Sequence, residues 1–149
     1  FLSSDGDRIF MDEGAMRNSL PRYRFSLAHE VGHHWLHDEF YQRVTVASVA
    51  DWKVVQQMIA MDYRWFEFQA NSFAGLVLVP TQTLRSEFDR SVAEACARGL
   101  SAAEIQEHPL RARFVQGLAD RFEVSAATME RRLEKDGLLA ELMSPGGDG

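Results

Sequence analysis

The sequence predicts an α+β domain in which a small sheet packs on a histidine-bearing helix and a helical C-terminal region follows. Three observations lead there. Residues 8–11, Arg-Ile-Phe-Met, lie between polar turn segments, as a short strand does. Residues 40–46 alternate apolar and polar side chains, as a second strand would. Beyond Pro80, apolar residues recur at intervals of three or four, the helical period.

In chain order, the strand at 8–11 comes first. Residues 25–37 contain no proline, and Ser26 is a candidate N-cap, so a helix is expected there. After the strand at 40–46, residues 48–61 place Val49, Trp52, Val55, Met58 and Ile59 on one side of a further helix. A long helix is expected over about residues 62–79, buried on most sides and stopped by Pro80, whose ring disfavours a helical residue before it. Leu84, Phe88, Val92 and Ala95 then mark one helix face. Gly99 suits a left-handed C-terminal position, and Ser101 with Glu104 reads as a capping box. Helices at 113–122 and 125–135 are separated only by Glu123 and Val124. The division expected is a core over 1–80, a helical region over 81–143 packed on it, and a flexible tail over 144–149.

At 149 residues and 46% hydrophobic, the chain has the size of one compact soluble domain with at most a small appendage. Its longest relevant apolar run, residues 73–79, is far short of the roughly 20 residues that span a bilayer, so no membrane segment is expected. A net charge of −6 argues against a nonspecific nucleic-acid binder. One cysteine, Cys96, cannot form an intrachain disulfide, and a reducing, cytoplasmic compartment is expected. Phe1 in place of Met predicts that the natural chain extends upstream.

Four of the five histidines fall within residues 29–37, His-Glu-Val-Gly-His-His-Trp-Leu-His. At about 100° per residue, His29, His33, His37 and Glu30 project at about 0°, 40°, 80° and 100°, one sector of a helix. His29 and His33, one turn apart, can clamp a single ion. Glu30 then points beside it, where a carboxylate can take a proton from water activated at the metal. This is the His-Glu-x-x-His spacing of a zinc hydrolase.

A third ligand is needed, and Glu67 is the candidate. Flanked by Phe66 and Phe68 on an apolar helix, its carboxylate needs a positive partner, which a metal ion supplies. Asn71, one turn on, is placed to accept the other ring N–H of a ligating histidine. An ion pair between Glu67 and Arg64 is the plainer alternative. A third histidine six residues after His33 is excluded because position 39 is Glu39.

The segments Arg24 to His33, Glu67-Phe68-Gln69-Ala70-Asn71-Ser72-Phe73-Ala74 and Leu76 through Pro80 resemble the ImmA/IrrE family of metallopeptidases, over about residues 7–139. The resemblance implies a zincin-like fold, with His29, His33 and Glu67 binding the metal and Glu30 as catalytic base. It also implies zinc, with manganese as the alternative ion, and a protein substrate: a helix-turn-helix transcriptional repressor cleaved after stress in a bacterial or phage-borne system. The chain differs from the family in a long hydrophobic insert between His37 and Glu67.

Other residues carry plainer expectations. His37 is read as a residue beside the site or lining the cleft, and Tyr63, Arg64 and His37 are candidates for a second oxyanion donor. His34 faces away from the metal, and His108 is solvated. Cys96 is a small residue on a helix face, and Trp35, Trp52 and Trp65 are expected in the core. The strand around Ile9 could pair with an extended substrate.

Two rival functions come from the same chain. Residues 118–133 resemble a helix-turn-helix, which makes a DNA-binding regulator the alternative. Yet six basic residues meet five acidic ones between Arg111 and Asp136, so little attraction for phosphate is expected. The other rival is a metal-containing module that holds a partner without cutting it.

Overall fold

Pro21 decides where the first long helix starts. The computed structural model describes residues 9, 11, 13–43, 48, 53 and 60–142, with a short α1 (Glu13–Asn18) followed by α2 (Leu20–Arg43). A proline in the first turn forfeits no intrahelical bond. The helix therefore begins five residues earlier than Phe25, and the Ser19 hydroxyl accepts the Arg22 N–H at 3.4 Å as its cap. Ser26 lies inside the helix.

The expected sheet is overturned. Phe40 to Arg43, read as the start of a second strand, form the last turn of α2, while Val44 to Val46 lie outside the described residues. Ile9 is an isolated bridge residue, Met11 has no regular structure, and Arg8 and Phe10 lie outside the described residues. Among the described residues every regular element is a helix, so the α+β, zincin-like architecture with a small sheet gives way to an all-helical one. The physical reason is twofold. A four-residue segment is too short for its periodicity to separate strand from helix end. And the buried face of α2 lies against another helix.

That partner is α3 (Ala60–Leu78), which stops ahead of Pro80 as expected. The expected helix at 48–61 lies outside the described residues, apart from Ser48, Lys53 and the two residues that open α3. The face α3 buries is built from small residues. Ala70 and Ala74 are fully covered, whereas Trp65, Phe68, Leu76 and Val77 are exposed. The expectation that α3 is buried on most sides is corrected accordingly: its fully covered positions are small residues, and these four large side chains lie outside the contact with α2.

The chain divides into two units, Phe1–Leu78 and Val79–Gly149. The second contains α4 (Thr81–Ala97), α5 (Ala102–Ile105), α6 (Leu110–Phe122), α7 (Ala126–Lys135) and α8 (Leu138–Glu141). Gly99, at φ +88°, ends α4, and the Ser101–Glu104 capping box opens α5 with both of its bonds in place. Glu123 takes a left-handed conformation (φ 52°) at the turn between α6 and α7. Leu84, Leu118, Met129 and Leu133 form the centre of this unit, each burying a side chain worth about 1.5–3 kcal/mol.

Candidate metal centre

Gly32 lets α2 and α3 come close enough to share a site. A Cβ there would stand 3.2 Å from the Ala70 Cα, 3.3 Å from the Ala70 carbonyl oxygen and 3.0 Å from Cδ1 of Phe73. Only glycine fits this crossing without moving backbone. One turn before Gly32 in α2 is the buried Ala28, and one turn after Ala70 in α3 is Ala74, so the close approach continues along both helices.

The crossing brings Glu67 of α3 to the histidine pair of α2. His29 Nε2 and His33 Nε2 are 3.0 Å apart. Glu67 Oε2 is 3.4 Å from His29 Nε2, and Glu67 Oε1 is 3.1 Å from His33 Nε2. Three side chains thus bring one ligand atom each to within 4.8 Å of the others. For a tetrahedral zinc with bonds of about 2.0–2.1 Å, neighbouring donors stand roughly 3.3 Å apart. The donor set fits such an ion, and these three residues are the group able to hold one among the described residues. Burial, and next the neighbouring His29, lower the pKa of His33, with Glu67 opposing. Its imidazole is thereby kept neutral, the form that offers a lone pair to a metal.

Glu30 is half-buried on the same helix and lies near enough to His33 to act on its charge. His34 and Trp35 are exposed on the far side. Trp35, 76% accessible, and Trp65, stacked on Phe68 at 5.3 Å, are surface residues, contrary to the core position expected of them; Trp52 lies outside the described residues. His108 and Cys96 are exposed.

The α2 backbone leaves helical geometry at His37 (φ −126°, ψ 15°). The departure lays the His37 ring on Phe66, with centroids 4.3 Å apart, and buries it to 4% exposure. Its Nδ1 meets Nδ1 of His33 at 3.1 Å, and its Nε2 meets Oε1 of Gln69 at 2.9 Å. Both ring nitrogens are engaged, so His37 has no N–H left for an oxyanion. Asn71 is exposed, and its Nδ2 donates to the Glu67 carbonyl oxygen at 2.7 Å, tying down its own helix instead of contacting a histidine. Gln69 is the residue that sequence reasoning missed. Its signal was its place two residues past Glu67, inside the block that carries the family resemblance.

Comparison with known proteins places the chain. A peptidase family model, the IrrE N-terminal-like domain, matches residues 15–134. The chain belongs to this family. A search of curated proteins and a search of solved structures each found no match. The family is one of metallopeptidases, and the His29, His33 and Glu67 group is consistent with a bound metal ion. A protein substrate goes with a peptidase family, and no helix among the described residues is long and apolar enough to cross a membrane.

The helix-turn-helix-like segment offers fewer cations than its sequence suggests. Arg132 of α7 is 4% exposed, donating to the Val79 carbonyl oxygen, the Thr81 hydroxyl and both carboxylate oxygens of Asp136. Arg111 of α6 bonds Glu130 at 2.7 Å and Glu134 at 3.4 Å. The Arg111 pairs cross-link α6 and α7, the Arg132 bonds tie α7 to the start of α4, and both spend charge that a phosphate backbone would need.

Proposed function

We propose that this chain is a zinc-dependent metalloendopeptidase, manganese being the alternative ion, that hydrolyses a peptide bond in a helix-turn-helix transcriptional repressor. The observation that carries the reading is the convergence of His29, His33 and Glu67 from two crossing helices, with Glu30 beside them. His29, His33 and Glu67 would hold the metal, which would supply Lewis acidity for lowering the pKa of water toward about 7 and polarising the scissile carbonyl. Glu30 contributes the base. Its carboxylate accepts the proton of the attacking water and passes it to the departing amine nitrogen, so the same group serves as base and then acid. Glu67 would offset one of the ion's two positive charges, and burial favours the neutral form of His33. The repressor as substrate, and action inside a bacterial cell, follow from the resemblance to the ImmA/IrrE family.

Glu30→Gln tests the reading. The amide keeps size and hydrogen bonding but cannot take a proton, so metal content should stay at the wild-type level while cleavage falls by about a hundredfold to ten-thousandfold. Cleavage of the repressor at the wild-type rate would remove Glu30 as the base. Tight binding of the repressor with no cleavage by either form would make the chain a metal-containing binding module.

A further inference from the structure

The site contains a hydrogen-bonded chain that a metal-ligand list does not explain: Gln69, His37 and His33 in a row, running from α3 into the kink of α2 and back to the candidate ligand. We infer that Gln69 and His37 are positioning residues that hold His33 in the one tautomer able to bind a metal through Nε2. The inference rests on the metallopeptidase reading above and concerns the same site.

The argument follows the protons. A neutral imidazole has one N–H and one lone pair, so fixing one ring nitrogen fixes the other. The Gln69 Oε1 can only accept, and at 2.9 Å it takes the Nε2–H of His37. His37 Nδ1 is therefore left with its lone pair, and at 3.1 Å it accepts the Nδ1–H of His33. The His33 Nε2 then carries a lone pair, and it is this atom that stands 3.0 Å from His29 Nε2 and 3.1 Å from Glu67. Ligating histidines in general give their other N–H to an acceptor that sets the tautomer. Here that acceptor is a second histidine, and an amide oxygen in turn sets the second histidine.

The relay opposes a real competitor. Before a metal arrives, the Glu67 carboxylate attracts a proton onto His33 Nε2, which would block ligation. Gln69 biases the pair the other way. The non-helical backbone at His37 is what makes the relay possible, because it brings the ring against Phe66 and within reach of α3. His37 and His33 are both about 4% exposed, so water does not readily take over either bond.

The test reads tautomers directly. In the metal-free full chain labelled with nitrogen-15 at histidine, long-range proton–nitrogen spectra should show His33 protonated at Nδ1 and His37 protonated at Nε2. Spectra with the His33 proton on Nε2 overturn the proposal. Zinc affinity, read by competition with a chromogenic chelator, should fall by about ten- to hundredfold in Gln69→Leu and His37→Leu. It should be retained in Gln69→Glu, which keeps an acceptor, and in large part in His37→Gln, whose amide oxygen can take the His33 N–H. Equal loss in Gln69→Leu and Gln69→Glu would mean that packing, not the relay, sets the affinity. The metallopeptidase reading fails separately: a wild-type chain that binds no metal sinks that reading, whereas the tautomer spectra of the metal-free protein judge the relay in either event.

Discussion

Replacing Gly32 with alanine should damage the site far more than the fold. The added methyl would meet the Ala70 Cα at 3.2 Å, the Ala70 carbonyl oxygen at 3.3 Å and Phe73 Cδ1 at 3.0 Å. Ordinary carbon–carbon contact lies at about 3.5–4.0 Å, so α2 and α3 must part by roughly 0.5 Å. Overpacking of this kind costs about 1–3 kcal/mol. Exchanging an interior helical glycine for alanine returns about 1 kcal/mol of propensity. The net loss of stability should be about 0–2 kcal/mol, measured by urea unfolding of the metal-free chain. The donors suffer more. A displacement of about 0.5 Å takes Glu67 beyond the roughly 0.2 Å tolerance of a metal–ligand bond, so zinc affinity should fall by about tenfold or more in a chelator competition. Gly117→Ala is the control, since a Cβ there meets nothing within 4 Å. It should gain up to about 1 kcal/mol and leave zinc affinity unchanged. If Gly32→Ala matches that control in both measurements, the crossing does not set the donor spacing and the reasoning is wrong.

Removing the metal with a chelator should lower the thermal midpoint, and restoring zinc to a hundred times its dissociation constant should return about 2.7 kcal/mol of stability; an unchanged midpoint argues against a bound ion. Arg132→Ala should cost about 1.5–3 kcal/mol in urea unfolding, because the half-buried Asp136 carboxylate loses its charged hydrogen-bond partner. A gel shift with duplex DNA at physiological salt should show no specific complex, since Arg132 and Arg111 are already paired within the chain; a specific shift would restore the DNA-binding reading.

The candidate site was legible where it depends on local geometry. His29, His33 and Glu30 share a sector by helical arithmetic alone, and that arithmetic survives any tertiary arrangement. Glu67 could be singled out because a carboxylate between two phenylalanines calls for a positive partner. Gln69 could not, because its contact with His37 exists only where the α2 backbone breaks from the helix, and nothing in the residues around His37 announces a kink. The sheet failed for the opposite reason. Residues 8–11 and 40–46 were short enough to fit a strand pattern, and the helix-on-helix contact that occupies the buried face of α2 was hidden in small residues, Ala28, Gly32, Ala70 and Ala74, which carry little hydropathy signal. Trp35 and Trp65 were misplaced with it: Phe66 and Phe73 are the rings that meet α2, and both tryptophans are exposed.

His33 and Glu67 are the ends of a stretch of chain about 34 residues long, whereas His29 and His33 are joined by one helical turn. Assembly of the donor set therefore requires a single long-range encounter, the arrival of one carboxylate at a pair already in register. The entropy of closing such a stretch grows only with the logarithm of its length, about 0.6 kcal/mol for each doubling. The donor spacing therefore rests on the meeting of Gly32 with Ala70 and not on how much chain separates the two helices.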